Sequence, residues 1–148
     1  MRIKHWAVAT VVILGGGAAL LSLSSRAATT IPYQDSARVA DGEAVYAQNC
    51  AGCHGVNLEG QANWQRRNGQ GLLPAPPHDE TGHTWHHADE LLFRLTKLGP
   101  ATIAGNGYRS AMPGFGGVLS DEQIWSVLAY IKAQWPADIQ ARHTQAFQ

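Results

Sequence analysis

Only two cysteines and two methionines occur in this 148-residue chain, and both shortages narrow what the protein does. Cys50 and Cys53 stand three positions apart and have no other thiol to pair with, so no disulfide framework can form. A bridge between them would close a small, strained ring. The missing second pair also removes a structural zinc site of the usual kind. Clustered basic residues are lacking as well. Once Arg2, Lys4 and Arg26 are set aside with the N-terminal segment, eight basic side chains face eleven acidic ones, a net charge of −3. The adjacent Arg66 and Arg67 are too few to grip phosphates, which argues against a nucleic-acid partner. No run alternates strongly enough to be a strand, and no repeat is visible. The expectation is therefore a single all-α domain.

Against these absences stands a marked N-terminus. Residues 1–26 contain no acid, and Arg2, Lys4 and His5 precede an uncharged apolar run of 18 residues, Trp6 to Leu23. That order is the signature of export, so the domain is expected outside the cytoplasm, in the periplasm. The run is long for a cleaved signal and just sufficient to cross ~30 Å of hydrocarbon, which favours a retained inner-membrane anchor over residues 6–23. The triplet Gly15-Gly16-Gly17 weakens that preference, because glycine lowers helix propensity. Residues 27–36 read as a polar linker, 37–136 as the folded domain and 137–148 as a tail without evident chemistry.

Three helices are legible within the domain. The first spans about Ser36 to Gln48, with Val39, Gly42, Val45 and Tyr46 at helical spacing. A second near 88–98 carries Leu91, Leu95 and Leu98, with Asp89 and Glu90 at its positive end and Gly99 as its cap. A third follows Ser120, whose pairing with Gln123 has the capping-box form. Ile124, Val127, Leu128 and Ile131 give it an apolar face, and Pro136 ends it. Most of the 16 glycines and 7 prolines fall between these helices, in loops over 51–85 and 99–117. Loops that long in a small domain usually wrap a functional site.

The first loop opens with Cys50-Ala51-Gly52-Cys53-His54, the pattern of covalent c-type haem attachment. Two thiols so spaced can add to both vinyl groups of one haem, and the same turn brings the next residue's imidazole beneath the iron. A thioredoxin-like pair would need a strand before it, which is missing here. The second axial ligand is reached by elimination. Met1 is the initiator, so Met112 is the one methionine available, 58 residues beyond His54 in Ala111-Met112-Pro113-Gly114-Phe115-Gly116. Filler methionines sit on periodic apolar faces, whereas this one lies where the backbone bends around an object.

Gly42 through Cys50, Cys-Ala-Gly-Cys-His-Gly, Met112-Pro113-Gly114-Phe115 and the helix from Trp125 through Ile131 together make residues 37–136 resemble a class I cytochrome c. The resemblance implies three to four main helices around one covalently bound haem c, with the first and last helices crossing. It places Gly42 and Tyr46 opposite Val127 and Tyr130. It also implies a proline carbonyl as hydrogen-bond partner of His54, with Pro74 and Pro76 both eligible. Imidazole and thioether together leave no open coordination site. The expected function is thus one-electron transfer at fairly high potential, by a carrier and not an enzyme. Its partners are expected to be redox proteins that touch it briefly.

His78, His83, His86 and His87 crowd into Pro76-Pro77-His78-Asp79-Glu80-Thr81-Gly82-His83-Thr84-Trp85-His86-His87 and call for a separate account. They read either as a solvated polar loop or as a second metal site for copper or zinc, and one of them is a rival to Met112 on the iron. Two alternatives to a free carrier remain open at this level: the haem subunit of a dehydrogenase or oxidase complex, and a copper-handling module built on these histidines.

Overall fold

A computed structural model describes residues 30–147; the signal or anchor segment expected over 1–26 lies outside the described residues. Among the described residues every regular element is helical: α1 (Ser36–Asn49), α2 (Ala51–His54), a 3-10 turn (Thr84–His86), α3 (Asp89–Leu98), α4 (Pro100–Ala104), α5 (Asp121–Ala133) and α6 (Ala137–Phe147). None of them is long and apolar enough to cross a membrane.

The fold is organised on α5. Ser120 accepts from the Gln123 amide while the Gln123 side chain accepts from the Ser120 amide, so the expected capping box is present. The expected single apolar face is not what α5 buries. Trp125, Ser126, Ala129 and Lys132 are buried along with Ile124, Val127, Leu128 and Ile131, so helices and loops surround α5 on all sides.

Helix α1 crosses α5 at Gly42, where an added side chain would run into the Ser126 carbonyl oxygen and lie 2.9 Å from Tyr130 Cβ. One turn on, Tyr46 and Tyr130 rings meet at 5.3 Å. The crossing therefore falls at Ser126 and Tyr130, one residue from the Val127 position implied by resemblance. Helix α3 packs on α5 through stacked Phe93 and Trp125 rings 4.5 Å apart. Its buried face runs through Asp89, Leu92 and Thr96, while Leu91 and Leu95 are half-buried and Leu98 is exposed.

Both ends of the expected domain extend further than the sequence reading. Ile31, placed in the linker, is 3% exposed, and its amide donates to Asp89 Oδ2 at 2.8 Å. The tail forms α6, which buries Ile139 and His143. Gln140 of α6 donates to the carbonyls of Lys132, Ala133 and Trp135 at the end of α5. Neither segment shows its role in the sequence, because each is tied down by contacts 56–58 residues away.

Candidate functional site

Helix α1 delivers the thiols. Its last turn continues almost directly into α2, with the Cys53 and His54 amides bonded to the Cys50 carbonyl at 3.0 and 2.9 Å. This turn sets Cys50 half-buried, Cys53 exposed and His54 6% exposed, with both thiols free. Burial, with Cys53 beside it, pushes the Cys50 thiol up to about 11. A thiol held protonated is a poor redox nucleophile. A thioether at the same place carries no charge and loses nothing by burial.

Gly55 then turns the chain, and its carbonyl accepts from the buried Tyr46 hydroxyl at 2.9 Å. His54 Nδ1 lies 2.8 Å from the Pro76 carbonyl, which selects Pro76 over Pro74. The carbonyl can only accept, so Nδ1 carries the proton and the lone pair sits on Nε2. Burial lowers the imidazole's pKa, against the opposing pull of the Pro76 bond, and keeps it neutral as a metal ligand must be.

Met112 sits half-buried on the second loop, its amide donating to Ser110 Oγ at 3.1 Å. The loop is moored to the end of α3: the Phe115 and Gly116 amides donate to the carbonyls of Thr96 and Lys97, both at 2.9 Å. Gly114 permits that approach, since an added Cβ would stand 2.7 Å from the Leu98 carbonyl carbon.

The four clustered histidines do not converge. His78 turns inward and stacks on His54, with ring centroids 3.9 Å apart and planes 20° from parallel. His86 lies flat on Trp85 at 3.7 Å, and His83 lies on Trp64 at 5.3 Å. His83 and His87 do approach each other, edge to face at 5.3 Å. Among the described residues no group of three or more His, Cys, Asp or Glu side chains is placed to hold a metal ion, so the copper-or-zinc alternative for this cluster finds no support in their arrangement. Aromatic stacking separates residues that are close in sequence. His78, the rival to Met112 nearest His54, lies against the face of the His54 ring, with its own Nδ1 2.8 Å from Thr84 Oγ1.

Two free thiols on one helical turn, a neutral imidazole with Nε2 unclaimed and a thioether on a moored loop make a donor set that fits haem c. The fold and this site define a class I c-type cytochrome. Within that class, the chain belongs to the family described as cytochrome c oxidase, cbb3-type, subunit III, which it matches over residues 37–131. It is also similar to cytochrome c6 of Diacronema lutheri, 31% identical over 97 residues that cover 63% of this chain and 92% of that one. No solved structure matches it. The protein accordingly carries covalent c-type haem and is an electron carrier that works with redox protein partners, which is compatible with a place as a subunit of an oxidoreductase complex.

Proposed function

We propose that Cys50 and Cys53 hold the haem as thioethers, that His54 Nε2 and Met112 Sδ are its axial ligands, and that the domain of residues 37–136, extended by Ile31 and α6, carries single electrons in the periplasm. Haem held by these four residues would supply a one-electron couple. The chain's own residues do the rest. Pro76 orients His54 and raises its basicity, the end of α3 holds the Met112 loop, and burial favours the less charged ferrous state. The observation that carries this reading is the 2.8 Å contact of His54 Nδ1 with Pro76, which leaves one nitrogen, and only one, for iron. The apolar run of residues 6–23 supports a retained tether that keeps the domain near membrane-bound redox partners.

Optical spectra of the purified protein test the ligands. The native ferric form should show the weak red absorption of methionine-to-iron ligation, and Met112→Ala should abolish it while the covalent haem stays. Persistence of that band in the variant would remove Met112 from the assignment. Fractionation tests the tether, which predicts haem in the washed membrane pellet and an intact N-terminal segment by mass.

A further inference from the structure

The hydrogen bond from Nδ1 to Pro76 resists rotation of the His54 ring about its bond to Cβ, but it acts at one edge only, and a modest tilt of the plane keeps it within hydrogen-bond geometry. The plane needs a second restraint, and the structure supplies a flat one. His78 lies face to face with His54 at 3.9 Å and is itself pinned on three sides. Its Nδ1 is 2.8 Å from Thr84 Oγ1, its amide donates to the Leu58 carbonyl at 2.8 Å, and its carbonyl accepts from Trp135 Nε1 at 2.8 Å. Tyr46 closes the arrangement with its ring at 6.3 Å and 71° to His78. Thr84 is 6% and Trp135 3% exposed, so water competes poorly for either bond.

His78 is half-buried, and an apolar side chain of similar size could cover the same face of His54 without needing a hydrogen-bond partner at Nδ1. What histidine adds is an angle. The bond to Thr84 stops the His78 ring from turning, so the surface offered to His54 has a set orientation.

We infer that His78 is a positioning residue for the iron-binding imidazole: clamped by Thr84 and Trp135, its ring fixes the plane in which His54 presents Nε2. This rests on the proposal that His54 ligates the haem. It assigns an inward, haem-directed role to one member of a histidine cluster that otherwise resembles a surface metal site. It also gives Trp135, beyond the last residue of α5, a part in the site.

Ferric haem reports the plane of an axial imidazole directly, through the order and spread of the haem-methyl proton resonances and the largest g value in electron paramagnetic resonance. In the full-length haem-loaded protein, His78→Ala should reorder the methyl resonances and shift that g value while the red methionine band and the covalent haem are retained. His78→Phe, which restores a flat face, should return the pattern most of the way to native. A His78→Ala spectrum superimposable on native would overturn the proposal. Should His78→Ala fail to yield folded holoprotein, Thr84→Val and Trp135→Phe each remove one clamp alone. A displaced methyl pattern in either supports the proposal, and native patterns in both overturn it. Failure of the underlying assignment looks different: the native protein would show no low-spin haem c, or His54→Ala would leave its spectrum unchanged, and both inferences would fall together.

Discussion

Replacing Gly42 with alanine adds one methyl group at the point where α1 lies on α5, directed at the Ser126 carbonyl oxygen and 2.9 Å from Tyr130 Cβ. Non-bonded carbons settle at ~3.5–4.0 Å, so the two helices must part by about 1 Å. The obstacle is backbone, which has no alternative rotamer, and α5 is packed on every side, so it has nowhere to retreat. Overpacking of this kind costs ~1–3 kcal/mol, against which alanine returns ~0.5–1 kcal/mol of helix propensity. Rigidity at this site places the cost at the upper end, and the net is a loss of about 2 kcal/mol. With a urea slope of ~1–3 kcal/mol per molar, the unfolding midpoint of the haem-loaded protein should fall by about 1 M. Gly117→Ala is the control: nothing lies within 4 Å of its added methyl group, and its midpoint should stay within ~0.5 kcal/mol of native. A Gly42→Ala protein with the native slope and a midpoint at or above native would refute the reasoning.

Asp89 is 2% exposed with Lys132 Nζ at 3.8 Å, His143 Nε2 at 3.6 Å and the Ile31 amide at 2.8 Å. Asp89→Ala should therefore cost ~3–5 kcal/mol in chemical denaturation, and combining it with Lys132→Met should recover most of that loss. A loss under ~1 kcal/mol for the single variant would show the cluster to be energetically idle. Ser120→Ala removes the α5 cap and should lower stability by ~1 kcal/mol by the same assay, with no change in the haem spectrum. Burial lowers the pKa of His143, so the folded protein holds it neutral where the unfolded chain takes up a proton. Its contribution is whole above the unfolded value of ~6.5 and is lost as pH falls beneath it, at up to ~1.4 kcal/mol per pH unit. Denaturation midpoints between pH 7 and 5 should fall more steeply for native protein than for His143→Phe; equal slopes would exclude His143 as the source.

The parts of this molecule that were legible in its sequence are those specified locally. The Cys50–His54 motif is read from spacing, and α5 from its Ser120–Gln123 box and Pro136. Helix α3 is read from Asp89 and Glu90 in its first turn and from its C-cap Gly99, which takes φ +83°. Local signals mislead where a residue's partner is far away. His78 reads as one of four surface histidines until Trp135, 57 residues on, draws its carbonyl inward and His54 takes its face. Ile31 reads as linker because nothing near it shows that Asp89 will bind its amide. The α6 pattern is masked by polar groups on its inner face, half-buried Gln140 capping α5 and buried His143 bonding the His87 carbonyl at 2.9 Å, where an apolar stripe would have been noticed. The histidine cluster left a polar loop and a metal site both open, because local sequence does not show that Trp64 and Trp85 take His83 and His86 as stacking partners.

The segment that follows α5 bears on how firmly the loop beside His54 is held. Trp135 and, within α6, His143 bond the carbonyls of His78 and His87 at 2.8 and 2.9 Å. The loop carrying Pro76 and His78 is therefore only as well ordered as the C-terminal segment packed on it, and loosening that segment would reach the His54 imidazole through Pro76 and His78.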